Sequence, residues 1–262
     1  MSFPGVYTVR KNSRSLEVAH AQCYFAPLLN GVLLNRTTGS SMVVANDSQV
    51  TWRSAMARLT STADLRRIIS EPRKTTRAKI LDALDEQSID FLKRCPFALV
   101  GTTAADGTIE VSPKGDEPGF IRVEDPKTLL IPERVGNNLA FGLSNILATG
   151  KIGLIALVPA TGETLRVSGT AEIFDDTDLV ASLSSLGKPA LLATRVHIEH
   201  CYFHCARSIV RAKLWDPKSW PAPGRVSFGK IIAPRVGAGA EMAAQIDAGV
   251  EGAYTTRLWT NS

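Results

Sequence analysis

Residues 97–113 read FALVGTTAADGTIEVSP, and this stretch decides the fold. Short segments in which the residue type changes with a period of two, as in a β-strand, lie on both sides of Asp106-Gly107. An Asp-Gly pair between two such segments is typical of a tight hairpin turn, because both residues tolerate the positive φ angles that the turn requires. The stretch therefore predicts two short antiparallel strands.

The strand pattern recurs along the rest of the chain and alternates irregularly with helical segments. Closely spaced hairpins without a regular strand–helix alternation favour an α+β fold, mainly β, over a doubly wound parallel sheet. We expect about six strands in one antiparallel barrel with flanking helices. Segment 120–133 predicts two further strands with a bend at Asp125-Pro126. The other strand segments are 151–159, 163–175 and 190–205, and the helical segments are 60–69, 74–97, 137–150, 176–187 and 205–217.

Composition and charge restrict the class of protein. The chain has 262 residues, 44% of them hydrophobic, and a net charge of +5. This small basic excess permits an anionic ligand but predicts no nucleic-acid partner. No apolar run reaches the roughly 18 residues that cross a bilayer, so no membrane span is predicted. Four cysteines in a chain of this length are typical of a reducing compartment, and we expect the cytoplasm.

The domain organisation follows from where periodicity begins. Residues 1–58 show no sustained period and are predicted to form a poorly ordered N-terminal extension. Residues 59–262 carry the helical and strand patterns and are predicted to form the barrel domain with a C-terminal helical extension.

Three segments predict one binding site for an anion. VSPKGDEPGF (111–120) places Lys114 on a corner rich in proline and glycine, IPERVGNN (131–138) places Arg134 and two asparagines between a strand and a helix, and ETLRVSG (163–169) places Thr164 and Arg166 on one strand face. Asn137 or Asn138 could cap the following helix, whose N-terminus also favours an anion. The alternative interpretation is that these residues are surface cations and turn residues.

The stretch HIEHCYFHC (197–205) contains five potential metal ligands, but we predict no metal site there. A closed zinc site needs four converging ligands. On a regular strand His197 and Cys201 face one way and His200 faces the other, so the ligands cannot converge.

The sequence from about Leu59 to Asp216 resembles the pyridoxamine 5'-phosphate oxidase-like family of FMN-binding split barrels, in particular a bacterial flavoprotein subgroup. The stretches that carry the resemblance are CPFALVGTTAADGTIEVSPKGDEPGF, TLLIPERVGNN, SNILATGKIGLIALVPATGETLRVSGTAEI and FHCARSIVRAKLWDP. The resemblance implies a six-stranded antiparallel Greek-key barrel that forms a homodimer, with FMN at the subunit interface.

The resemblance also implies the cofactor contacts and the chemistry. The implied contacts are Val111, Ser112, Lys114, Ile131, Pro132, Arg134, Asn137, Asn138, Thr164 and Arg166. The implied activity is that of an FMN-dependent oxidoreductase acting on a small molecule, and no catalytic acid or base is assigned because the flavin carries the reaction. The alternatives are a non-catalytic flavin or haem binding protein, and a deazaflavin-dependent reductase with the same fold.

Overall fold

The computed structural model describes the backbone of residues 32–35, 40–44 and 50–53, and residues 58–258 in full. The chain divides into two compact units, 1–71 and 72–262. None of the described helices is both long and apolar enough to span a membrane.

The first unit contains a small antiparallel sheet and one helix. The strands are β1 (Val32–Asn35), β2 (Ser40–Val44) and β3 (Val50–Arg53), in that order across the sheet. Helix α1 (Thr62–Ile68) begins as predicted, because the Ser61 hydroxyl accepts a hydrogen bond from the Asp64 N–H at 3.1 Å. The prediction of a poorly ordered segment over 1–58 falls mostly on residues outside the described ones.

The second unit is built on one antiparallel sheet of seven strands, which confirms the predicted fold class and corrects the predicted count of six. The shortest of the seven is the four-residue β6, which ends where Asp125 turns the chain back into β7, at the bend predicted for Asp125-Pro126. The strands are β4 (Phe97–Thr103), β5 (Ile109–Gly115), β6 (Arg122–Asp125), β7 (Thr128–Glu133), β8 (Lys151–Leu157), β9 (Thr164–Phe174) and β10 (Leu192–His204).

The order across this sheet is β5-β4-β8-β9-β10-β7-β6, so β5 and β6 are its two edge strands. The non-consecutive neighbours β4–β8 and β10–β7 are the crossovers that a split barrel requires. The predicted hairpin joins β4 to β5, where the Ala104 N–H donates to the Thr108 carbonyl at 2.8 Å and Gly107 has a φ of 88°.

Strand alternation explains where the core lies. Along β4 the side chains of Ala98, Val100 and Thr102 are buried, while Phe97 and Leu99 face outward. Ala98 and Val100 belong to the larger of two buried hydrophobic clusters, together with Leu92 of the preceding helix. The helices of this unit are α2 (Lys74–Arg77), α3 (Glu86–Lys93), α4 (Phe141–Thr149), α5 (Thr177–Ser182), α6 (Arg207–Ala212), α7 (Phe228–Ile232) and α8 (Ala240–Thr255).

Candidate functional site

A cavity of about 590 Å³ lies between the end of β5, the end of β7 and the start of α4, and we call it the seam cavity. All of the predicted site residues except Thr164 and Arg166 line it. The corner that ends in Lys114 and the loop that begins at Arg134 are therefore brought together, as the sequence predicted. A volume of this size is typical of a small-molecule or cofactor site.

Lys114 points inward because it pairs across the sheet with the buried Ala98. Its ammonium forms an ion pair with Oε2 of Glu133, the last residue of β7. The Glu133 side chain is only 8% exposed, and its Oε1 accepts a hydrogen bond from the Thr194 hydroxyl at 3.0 Å. The cation that the sequence singled out is thus held by a buried carboxylate, not simply presented to a ligand.

Arg134 has a carboxylate partner of its own. Its Nε donates to Asp116 at 2.6 Å and its Nη2 donates to the Leu183 carbonyl at 2.8 Å. The Asp116 side chain is only 1% exposed, and it also accepts from the Ser185 hydroxyl at 2.6 Å. The Nη1 atom of Arg134 is buried and has no hydrogen-bond partner among the described residues.

The Asp116 carboxylate is strongly held. Burial by itself raises the pKa of Asp116, but hydrogen bonds from Ser185, Arg134 and the Glu117 backbone N–H outweigh burial and keep that pKa below its usual value. The ionised form therefore persists at neutral pH, and Arg134 remains paired with it.

The two ion pairs join parts of the sheet that no backbone ladder connects. Lys114 and Asp116 lie at the end of the edge strand β5, whereas Glu133 and Arg134 lie at the end of β7. In the described sheet β5 pairs only with β4, and β7 pairs with β6 and β10. Side-chain charges thus connect this seam of the barrel, and the cavity lies beside them.

The start of α4 differs from the prediction that an asparagine caps it. The cap position is Ala140, in the left-handed region with a φ of 51°, and no side chain caps the helix. The Asn137 Oδ1 accepts from the Leu139 N–H at 3.1 Å instead. The first N–H groups of α4 consequently lack a side-chain acceptor at a position that lines the seam cavity, where the helix dipole favours an anion.

Thr164 and Arg166 lie on β9 and do not line the seam cavity. Arg166 stands opposite Tyr202 of β10, with 3.5 Å between its Nη1 and the tyrosine hydroxyl oxygen. Its Nε is buried without a hydrogen-bond partner in the described part of the chain. These two predicted contacts are therefore not part of the site that one copy of the chain forms.

The histidine-rich end of β10 has a different geometry from a regular strand. The register shifts between Ile198 and His200, so Glu199 is an additional residue that opposes no partner. As a result Cys201 is buried while His197 and His200 are exposed, and the expectation that His197 and Cys201 share a face was wrong. Among residues 58–258, no three metal-ligating side chains lie close enough together to hold an ion.

The family model for pyridoxamine 5'-phosphate oxidase matches residues 84–205. This part of the chain is therefore similar to the pyridoxamine 5'-phosphate oxidase family. The matched segment runs from the helix before β4 to the end of β10. It includes all the charged residues that line the seam cavity, which are Glu110, Lys114, Asp116, Glu133 and Arg134. A search of the curated proteins found no relative.

Several solved structures are similar to this chain. HupZ of Group A Streptococcus has 21% identity and a TM-score of 0.37, and the match covers 46% of this chain and 93% of HupZ. A Clostridium acetobutylicum protein related to general stress protein 26 has 16% identity and a TM-score of 0.36, with 47% and 91% covered. An FAD binding protein of Mycobacterium smegmatis has 18% identity and a TM-score of 0.34, with 47% and 97% covered.

The acidic half of the candidate site could not be predicted from the sequence. Glu133 is the last residue of β7, TLLIPE, which is buried at every position. Buried and exposed residues do not alternate along this strand, so its pattern does not indicate which side chains point into the cavity. Thr194 lies on β10 and meets Glu133 only through the β7–β10 pairing. Asp116 lies inside the stretch 111–120, but nothing in its local sequence marks it as the partner of Arg134.

Proposed function

We propose that the chain binds FMN in the seam cavity and acts as a flavin-dependent oxidoreductase on a small molecule. The observation that carries the proposal is the convergence of Lys114, Arg134 and the uncapped start of α4 on one cavity, inside the segment that matches the family model for pyridoxamine 5'-phosphate oxidase. No catalytic acid or base is assigned, because bound flavin supplies the electron or hydride transfer itself.

The residues of the cavity fit such a cofactor. The phosphate would be held by the Arg134 Nη1, which is buried without a partner, by the first N–H groups of α4, and by Lys114. The Ser112 hydroxyl lies beside the start of α4, because a Cβ built on Gly142 would be in ordinary van der Waals contact with it at 3.6 Å. Apolar side chains such as Val111 and Ile131 would pack against the ring system.

The protein is proposed to act as a homodimer through the outward face of β4 and β5. This face exposes Phe97, Leu99, Ile109 and Val111, with Ile109 at 69% and Val111 at 60% exposure. A contiguous apolar face of this kind is typical of a protein interface. Because Val111 also lines the seam cavity, a second copy on this face would place the cofactor at the subunit interface.

The cofactor assignment is tested on the protein as purified. The chromophore is released and identified by mass, and the absorption spectrum separates FMN from a deazaflavin. Protein without chromophore is titrated with FMN. A preparation that carries no flavin and gives no binding signal would refute the assignment. If FMN binds but NAD(P)H does not reduce it, with or without candidate substrates, the result would favour a non-catalytic flavin-binding protein.

The dimer is tested with Ile109→Lys, which places a charge on the proposed interface. Light scattering coupled to gel filtration should show a dimer for the wild type and a monomer for this variant. Val210→Lys is the matched control, because Val210 is comparably exposed on α6. A monomeric wild type, or a dimer that survives Ile109→Lys unchanged, would contradict the proposed interface.

A further inference from the structure

Each basic side chain that lines the seam cavity already has a carboxylate partner. The acidic residues Glu110, Asp116 and Glu133 outnumber the basic residues Lys114 and Arg134. Both basic side chains have a buried carboxylate within ion-pair distance. The ammonium of Lys114 is therefore already paired with Glu133 when a flavin phosphate reaches it.

From this arrangement we infer that Glu133 sets the charge selectivity of the cavity by competing with the phosphate of the cofactor for Lys114. The inference rests on the proposed function and names the residue that decides how much the phosphate contributes to binding. Glu133 suits this role because the Thr194 hydroxyl holds its other oxygen and fixes the carboxylate beside the ammonium. A phosphate that accepts from Lys114 must either displace the Glu133 carboxylate or bind beside its negative charge, which costs free energy.

Asp116 does not play the same role. Its carboxylate accepts from the Ser185 hydroxyl and the Glu117 backbone N–H as well as from Arg134, so it is held without the arginine. Arg134 also keeps one buried nitrogen, Nη1, that can donate to a phosphate while the Asp116 pair stays intact. The competition is thus specific to the Lys114–Glu133 pair.

The test compares FMN with riboflavin, which has the same ring system and ribityl chain but no phosphate. The ratio of the riboflavin dissociation constant to the FMN dissociation constant isolates the contribution of the phosphate, and both constants are measured by quenching of flavin fluorescence. For the wild type we expect a ratio below about tenfold, since the gain at Lys114 is offset by the loss of its pair with Glu133.

In Glu133→Gln the carboxylate no longer competes, and the ratio should rise by about tenfold or more through tighter FMN binding, with riboflavin nearly unchanged. Glu110→Gln is the matched control, because it removes one negative charge from the same lining without touching the Lys114 pair. Thr194→Val is the second control: it removes the hydrogen bond to Glu133 and keeps its charge. The increase should be absent when Glu133→Gln is combined with Lys114→Met.

Several results would overturn the inference while leaving FMN binding in place. The first is a wild-type ratio of about a thousandfold, a result that does not depend on the folding of any variant. The others are an unchanged ratio in Glu133→Gln, an equal rise of the ratio in Glu110→Gln, and a rise that persists when Lys114→Met is added. A wild type that binds neither flavin would instead refute the proposed function, and the inference with it. Circular dichroism of each variant confirms that the barrel is folded before the ratios are compared.

Discussion

Among the glycines of the described sheet, Gly169 leaves the least room for a Cβ, so one added methyl group there should have a large effect. A Cβ built on Gly169 would lie 1.9 Å from the carbonyl oxygen of His197, whereas real Cβ atoms essentially never come within 3.0 Å of another heavy atom. The contact lies at the bulge of β10, where Ile198 pairs with Gly169 and His200 pairs with Ser168. In Gly169→Ala the two strands must therefore separate by more than about 1 Å.

The magnitude follows from the hydrogen bonds that such a separation breaks. A displacement of about 1 Å takes a backbone bond beyond hydrogen-bonding distance. Loss of about two ladder bonds at roughly 1 kcal/mol each, and of the partner of one buried carbonyl at roughly 1–3 kcal/mol, gives a destabilisation of about 3 kcal/mol or more. For a domain of this size that lowers Tm by about 6–12 °C.

The assay is thermal and urea unfolding of Gly169→Ala beside Gly101→Ala. Gly101 lies in the middle of β4, but a Cβ there would have its nearest neighbour, the Gly153 carbonyl oxygen, at 3.7 Å. Alanine therefore fits at Gly101, and its free energy of unfolding should change by less than about 1 kcal/mol. If Gly169→Ala were as stable as Gly101→Ala, the bulge would have to rearrange at little cost, and the reasoning from close approach would be refuted.

Three further results are expected. Asp116→Asn should lower the free energy of unfolding by about 3 kcal/mol, because it leaves the largely buried Arg134 without its counter-charge. Asp90→Asn is the control, since the Asp90–Lys93 pair is about 70% exposed, and it should cost less than about 1 kcal/mol in the same urea titration. Because the pKa of Asp116 is depressed in the folded protein, its contribution is complete above the ordinary carboxyl pKa and is lost as the pH falls through the folded value, so the wild-type advantage over Asp116→Asn should shrink below about pH 4. Gly229→Ala should loosen the C-terminal helices without changing flavin affinity, since its Cβ would lie 1.9 Å from the Ala243 carbonyl oxygen, and faster limited proteolysis of this segment is the measurement.

Much of the fold could be predicted because its signals are local. The Asp106-Gly107 turn lies between two strands of period-two character, and it forms the β4–β5 hairpin. The bulge in β10 could not be predicted, since nothing around Glu199 departs from an ordinary strand sequence. Its cause lies on the neighbouring strand, where Gly169 permits the close approach.

The candidate site divides in the same way. The corners that carry Lys114 and Arg134 are marked by proline and glycine next to strand ends, and the structure brings them to one cavity. Their carboxylate partners depend on the packing of β5 against the end of β7, which no local pattern encodes. Thr164 and Arg166 do not line the cavity of their own subunit, so their contact with a cofactor stays a prediction.

The acidic partners also follow from electrostatics, once the cations are known to be buried. A charged side chain withdrawn from water costs several kcal/mol unless an opposite charge or several hydrogen bonds compensate it. Lys114 is 23% exposed and Arg134 is 14% exposed, so each needs such compensation in the folded chain whatever ligand it later meets. A sequence that predicts a buried cation therefore also predicts a nearby carboxylate. The useful question about such a site is which of its cations can exchange that carboxylate for a ligand, and here the two differ: Asp116 is held by three donors, whereas Glu133 is held by the lysine and one hydroxyl.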